Sequence, residues 1–411
     1  MKLHSTALTA ALLASSAASA LPMQSFFAPP SSGPSLSTLD IESATPFSRL
    51  TNRLLQPLSS LFEPRLVQTA HDAEPYWTNE LGKHLLFYRG QSFMDLTDHP
   101  QLGLLSAQRL DAAKEPTFPE HVRFDKQLKP VFKGISDKGP RENLKAFTGF
   151  HTRYYKSETG KQSQKWLLSK VKETIGSHAN ITVREFEHAW GQNSIILHVP
   201  GRNASLSQSE GVTILGAHQD STNFFPFFAA PGADDDGSGT VTIVEALRVL
   251  LEAGWHPETD VEWHWYSAEE GGLLGSQAVA ASYEQEGRKV KAMLQQDMTA
   301  FVKAGTDEVV GIVSDFVSAP LAAFVTRLVK AYLDIPPVET KIGYAASDHA
   351  SWSKIGAPSA SAIEATYENS NLRRIHTTGD VFDIPEYSFR HLLQFVRLST
   401  AFAVELGGWA Q

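Results

Sequence analysis

Apolar positions from about residue 119 onward fall into short continuous runs separated by longer stripes of helical spacing. The runs at 181–187, 194–199, 212–217, 261–266, 290–295, 309–312 and 359–363 predict strands, since strands buried on both faces read as near-continuous Val, Ile and Leu. Apolar residues spaced three to four apart at 240–253, 277–286, 321–333 and 387–406 predict helices. Upstream, Phe147, Phe150 and Tyr154, then Trp166, Leu167 and Val171 beyond Gly160, predict two helices with a turn between them. Strand and helix alternate through the second half. The expected fold is therefore α/β, a mixed, largely parallel sheet sandwiched by helices, in one domain spanning 119–411.

The pattern before residue 119 is different. Met1-Lys2-Leu3, an Ala/Leu stretch through Leu13 and the small residues ending at Ala20 predict a secretory signal over 1–20. A Pro/Ser-rich stretch to about Pro64 shows no sustained period, aromatic and aliphatic residues return at 76–97, and 98–119 is polar and loose. Residues 21–100 are expected to be a propeptide whose C-terminal boundary reaches to about 118, or else a permanent N-terminal arm. No later segment has the apolar length to span a bilayer. The expectation is a secreted, extracellular monomer, with acceptor sequons at Asn180 and Asn203 compatible with that route.

Composition narrows the chemistry. The chain has 411 residues, 42% of them hydrophobic, and a formal charge of −9 without a long Lys/Arg run, so neither nucleic acid nor an anionic membrane is an expected partner. With no cysteine, thiol catalysis and disulfides are excluded. The sequence also lacks Gly-x-Ser-x-Gly, His-Glu-x-x-His and a Walker P-loop.

What remains is a dispersed set of metal-binding side chains at the ends of apolar runs: His218, Asp235, Glu270, Asp297 and His376. In parallel α/β sheets, ligands bind beyond the carboxyl ends of the strands, where such residues converge. Carboxylates with two separated histidines favour zinc. Asp220, two residues past His218, either orients that imidazole or binds directly. The acids Asp234-Asp235-Asp236 ahead of Gly237-Ser-Gly239 need a cation or a helix N-terminus to offset their repulsion, and a plain cap by Asp236 or Ser238 is the alternative. Glu269 and Glu270 follow the aromatic strand Trp263-His-Trp-Tyr266. On extended backbone they point oppositely, so one can bind metal while its neighbour acts as a base. His264 within that strand reads as packing. His349 either supports the site or opens a helix.

These residues resemble peptidase family M28, the secreted fungal leucine aminopeptidases and their bacterial double-zinc relatives. The resemblance rests on Gly216-Ala-His-Gln-Asp-Ser221, Ala230-Pro-Gly-Ala-Asp-Asp-Asp-Gly-Ser-Gly239, Tyr266-Ser-Ala-Glu-Glu-Gly271, Leu294-Gln-Gln-Asp-Met-Thr299, Ser347-Asp-His349 and Arg374-Ile-His-Thr-Thr378. It implies a zinc-peptidase, phosphorylase/hydrolase-like catalytic domain that removes N-terminal residues, preferably leucine or other large apolar ones, from peptides with a free N-terminus. It further implies two zinc ions, with Asp235 bridging them through a cis Asp235–Asp236 peptide, His218 and Asp297 completing one, and Glu270 and His376 the other. Asp220 would orient His218, Glu269 would be the general base, and Met298, Tyr344, Ile363, Tyr367 and Ile375 would line the pocket for the first side chain. Relatives often have two cysteines where Ile342 and Ala346 stand, so the 341–347 loop is expected to be mobile or held by apolar packing. The alternatives are a single-zinc glutaminyl cyclase of the same fold and a non-catalytic binding domain.

Overall fold

A computed structural model of the chain describes residues 61–70, 73–109, 116–225 and 227–410; the expected signal and residues 21–60 of the expected propeptide lie outside them. Strands β1 (Pro64–Gln68), β2 (Tyr76–Asn79) and β3 (Met94–Asp95) make a small antiparallel sheet in the order β2-β1-β3. Eight further strands make the central sheet: β4 (Thr182–Phe186), β5 (Ser194–Val199), β6 (Val212–His218), β7 (Val261–Tyr266), β8 (Val290–Gln296), β9 (Val310–Val313), β10 (Pro337–Thr340) and β11 (Ser359–Ile363). Their order is β10-β9-β11-β8-β6-β7-β5-β4. The centre, β11-β8-β6-β7, is parallel, whereas β5 and β4 on one side and β9 on the other join antiparallel. The carboxyl ends of the four parallel strands therefore open onto one edge.

The residues sort by strand alternation into two layers. Leu197, Leu215, Ala217, Trp263, Trp265 and Leu294 face one apolar cluster, shared with helices α5 (Glu158–Ile175), α7 (Gly237–Glu252), α9 (Ala319–Tyr332) and α11 (Phe389–Gly407). Their alternates Ile196, Ile214, Tyr266 and Met293 face another, against α8 (Leu274–Glu286) and Trp352 of α10 (His349–Lys354). The remaining helices are α1 (Glu80–Tyr88), α2 (Leu104–Arg109), α3 (Asp125–Phe132), α4 (Lys138–Phe147) and α6 (Ala204–Glu210). Among the described residues no helix is long and apolar enough to cross a membrane. Asn180 and Asn203 are both exposed, and Asn203 caps α6 by accepting from the Leu206 N–H at 3.0 Å.

Two expectations change, and a third, offered with two alternatives, resolves to the packed one. Gly160 does not separate two helices. It lies in the first turn of α5, its N–H capped by Ser157 Oγ at 2.9 Å, and a Cβ there would come within 2.1 Å of the Tyr154 carbonyl, so Phe150 and Tyr154 belong to a connecting loop. The region 98–119 is not loose throughout. Helix α2 lies within it, and the Gly103 and Ser106 N–H groups bond the Glu284 carboxylate of α8 at 3.1 and 2.8 Å. Loop 341–347 is tied down as well, because the Asp315 carboxylate accepts from the N–H groups of Ile342 and Gly343. Ile342 packs with Met298, Val313, Ile363 and Ile375, so apolar packing and a carboxylate clamp act together.

The N-terminal elements sit on the body through named contacts. Asp95 donates its N–H to the Gly272 carbonyl at 3.0 Å, and its own carbonyl accepts from Gln277 Nε2 at 3.1 Å. Asp95 also neutralises the buried ammonium of Lys83 at 2.6 Å.

Candidate metal centre

Five segments deliver the side chains. β6 ends in His218, β7 runs into the turn bearing Glu269 and Glu270, and β8 is followed by Asp297. Asp235 comes from the approach to α7, and His376 from the connection between β11 and α11. Asp235 lies between the histidines, with Oδ1 3.0 Å from His218 Nε2 and Oδ2 3.0 Å from His376 Nε2. Asp297 Oδ1 stands 3.6 Å from His218 Nε2, and Glu270 Oε2 stands 3.0 Å from His376 Nε2. Two groupings thus meet at one carboxylate. Donor atoms of Asp235, Glu270 and His376 lie within 4.8 Å of one another, as do those of His218, Asp236 and Asp297.

Asp236 is nevertheless committed elsewhere. Its carboxylate accepts from the N–H groups of His218, Gly239 and Met298 at 3.0, 2.8 and 3.3 Å, which caps α7 and ties that helix to β6 and β8. A helix cap and a donor therefore occur side by side, Asp236 as the first and Asp235 facing the histidines. The peptide joining them is cis. Gly239 allows the close approach, since a Cβ there would meet the Gln296 carbonyl at 2.0 Å.

The loops that hold the donors are themselves held from beneath. Asp380 accepts from the N–H groups of Asp234 and Asp235 at 3.1 Å each. Asp234 accepts from Asn371 Nδ2 at 3.1 Å and is hydrogen-bonded to the carboxyl of Glu364. Glu364 in turn accepts from the Phe301 and Asn371 N–H groups at 2.7 and 3.0 Å, joining the segments that carry Asp297, Asp235 and His376. Arg153, fully buried, donates to the carbonyls of Gln219, Pro231 and Gly232, and so staples the loop after His218 to the loop before Asp235.

Asp220 lies beside His218, with Oδ1 3.6 Å and its carbonyl oxygen 3.2 Å from Nδ1. Its carboxylate makes its shorter bonds to the turn after β7, accepting from the N–H groups of Glu269 at 3.0 Å and Glu270 at 3.3 Å. That turn corrects one expectation. Glu269 and Glu270 do not diverge because they alternate on a strand; β7 has ended at Tyr266, and Ala268 between them and the strand adopts φ 58°, left-handed backbone. Met298 and His376 adopt φ 62° and 58°, so local strain collects around the donors. His264 is a packing residue, fully buried between Glu262 and Tyr266 at 2.9 Å to each.

Charge is concentrated here. Burial would lower His376, but the Glu270 and Asp235 carboxylates lift it to about 10; burial would also lower His218, which Asp297 and Glu269 hold well above the usual imidazole range. Burial would raise Asp235, yet hydrogen bonds from both histidines keep it far below the usual carboxylate range. Glu269 is pushed well up, by burial first and then by Glu270, Asp348 and Asp297 against the pull of His218. Without a cation, then, the cluster draws protons onto its histidines. Glu270 Oε1 and Asp297 Oδ1 are buried with no hydrogen-bond partner, a costly arrangement that a cation at each of the two groupings would relieve. Imidazole nitrogens with carboxylate oxygens are a donor set that suits zinc. The residues fit the metal.

A cleft opens over the donors. Met298, Tyr344, Ile363, Tyr367 and Ile375 line it with Asp235, Glu269, Glu270, Asp297 and His376. Ile342 and His349 line it too, as do residues that sequence reasoning missed: Leu372, and from the N-terminal part Phe87, Ser92 and Phe93. His349 both opens α10 and faces this cleft. The Phe87 ring stacks on the His376 ring at 4.5 Å between centroids. No local pattern in the sequence could have placed Phe87 there, because the contact joins residues nearly three hundred positions apart.

The model of Peptidase family M28 matches residues 194–399. Leucine aminopeptidase 1 of Neurospora crassa is 50% identical over 344 residues, covering 80% of this chain and 82% of that protein. Leucine aminopeptidase 1 of Grosmannia clavigera is 48% identical over 367 residues, covering 86% of this chain and 87% of that protein. Among solved structures, the Legionella pneumophila LapA aminopeptidase superposes with a TM-score of 0.71 at 24% identity, over 85% of this chain and 99% of that one, a likeness of fold.

Proposed function

The chain belongs to peptidase family M28 and is a metalloaminopeptidase, and on that premise we propose a secreted enzyme that uses two zinc ions to release leucine and other large apolar residues from free peptide N-termini. The observation that carries the reading is the position of Asp235, with one carboxylate oxygen 3.0 Å from each histidine. His218 and Asp297 would complete one metal, and Glu270 and His376 the other. Bound there, the ions supply Lewis acidity and lower the pKa of water.

The chain's own groups do the rest. Glu269 takes the proton from the attacking water as its oxygen joins the scissile carbonyl carbon, and returns it to the amine as the C–N bond breaks. Asp220 fixes the turn carrying Glu269 and Glu270 through their N–H groups. Met298, Ile342, Ile363 and Ile375, with Tyr344 and Tyr367 hydrogen-bonded to each other at 3.1 Å, give the first side chain an apolar pocket that selects size modestly, ~1–3 kcal/mol per methylene.

Residues 1–20 are proposed as a removed signal, and the segment ending between about 100 and 118 as a propeptide. Phe87, Ser92 and Phe93 in the cleft support the second assignment, because substrate and that segment compete for one space. The exposed Asn180 and Asn203 are the proposed glycosylation sites, and the enzyme is proposed to act as a monomer. The full set of five donors with Glu269 favours this reading over a single-zinc cyclase or a binding domain.

Leucine release from leucinamide and from N-acetyl-leucinamide, with and without a chelator, tests the reading. Release only from the unblocked substrate, and only without chelator, is expected. Equal cleavage of the blocked substrate would end the aminopeptidase assignment.

A further inference from the structure

Phe87 lies in an aromatic box. Its ring is stacked on His376 at 4.5 Å and 29°, and lies 5.1 Å from Phe224, whose own ring stands edge-on to His376 at 5.5 Å and 81°. The Phe224 N–H donates to the His376 carbonyl at 3.0 Å, so the two walls of the box are one unit fixed beside the metal donors. The pocket of Met298, Ile342, Ile363 and Ile375 is a separate apolar cluster that does not include Phe224. The donors therefore have two distinct apolar receivers next to them, and the box is filled by a ring from the segment proposed to leave.

We infer that the Phe224–His376 box is the binding site for the side chain of the second residue of the peptide substrate, and that it takes aromatic or large aliphatic groups. The inference rests on the aminopeptidase reading and on removal of the N-terminal segment. Once Phe87 departs, two ring faces are left bare within a side chain's reach of the scissile bond. An apolar or aromatic side chain recovers their burial and stacking. A carboxylate side chain would lose its hydration against these two ring faces without gaining a partner, which disfavours an acidic residue at the same place. Beyond Phe224 the loop exposes Phe225, Phe227 and Phe228 at 53, 82 and 54%, which extends the apolar surface outward from the box.

The test uses the secreted full chain, before and after limited proteolysis that releases the segment, with Leu-Phe-amide, Leu-Gly-amide and Leu-Asp-amide. After release, kcat/KM is expected to be about tenfold higher for Leu-Phe-amide than for Leu-Gly-amide, and lowest for Leu-Asp-amide. Phe224→Ala should shrink the Phe-to-Gly ratio to about two, and Phe224→Tyr, which keeps the ring, should restore it and so separate loss of the box from loss of the fold. A ratio unmoved by Phe224→Ala, or a change in Leu-against-Ala preference at the first position instead, would overturn the subsite. Identical rates and ratios before and after proteolysis would overturn the propeptide reading and the occupancy argument with it. Hydrolysis of none of the amides would remove the aminopeptidase reading and the subsite together.

Discussion

Glu269 and Glu270 are adjacent in the chain yet serve different partners: Glu270 Oε2 lies 3.0 Å from His376 Nε2, whereas Glu269 Oε2 lies 4.0 Å from His218 Nε2. Asp220 holds both backbone N–H groups, so neither carboxylate is needed to maintain the turn. Glu269→Gln should therefore keep its zinc and lose turnover by at least ~10²-fold, the usual size of a general-base contribution. Metal analysis and kcat on one preparation check this. Near-normal turnover would remove Glu269 from the role.

Glu364 does not line the cleft, but its carboxyl joins Phe301, Asn371 and Asp234, which lie next to three of the donor segments. Outer-shell partners of this kind tune metal affinity by ~10–100-fold. Glu364→Ala should release zinc to a competing chelator at correspondingly lower chelator concentration, with Glu364→Gln intermediate. Chelator curves that overlay wild type would show that the donors are positioned without it.

Asp315 clamps the loop that carries Ile342 and Tyr344. Bonds from backbone N–H to a carboxylate contribute ~1.5–3 kcal/mol each. Asp315→Ala should raise KM for leucinamide about tenfold or more while changing kcat less, and narrow the preference for leucine over alanine. A fall in kcat at unchanged KM would place Asp315 elsewhere in the reaction.

Acid should loosen the N-terminal elements. Burial would raise the Glu80 carboxyl, but Lys83, Lys156 and Arg65 hold it below its ordinary value. Its folded pKa lies beneath the unfolded one of ~4.3, so its contribution is present above that pH and lost as pH falls through the folded value. Lys156 belongs to the body, 3.7 Å from Glu80, so part of that contribution is docking. The protection of residues 80–96 against hydrogen exchange, taken relative to the intrinsic rate at each pH, should fall between pH 5 and 3 in wild type and vary less in Glu80→Gln. Protection that stays flat with pH in wild type would contradict the assignment.

Much of the fold was legible because the inner strands of the sheet are buried on both faces and so write continuous apolar runs; Ser194–Val199, Val261–Tyr266 and Ser359–Ile363 have the bounds the pattern suggested. The convergence of His218, Glu270 and Asp297 was legible for a related reason, since each follows one of those strands. β10 is short, only partly buried and led by Pro337, and left no such trace. The clamp at Asp315, the staple at Arg153 and the network at Glu364 are invisible in one dimension, because each joins segments by hydrogen bonds to backbone, which any residue carries. The aromatic residues at 224–228, between two donors, were the one available signal for the box that holds Phe87.

If Asp235 is shared by two zinc ions, the metal bound per chain reports it without any assay of turnover. Elemental analysis of the purified protein and of Asp235→Asn, both equilibrated with the same limiting free zinc, should give two zinc ions per chain in wild type and loss at both positions in the variant. One zinc ion per wild-type chain, or two retained in Asp235→Asn, would contradict the account.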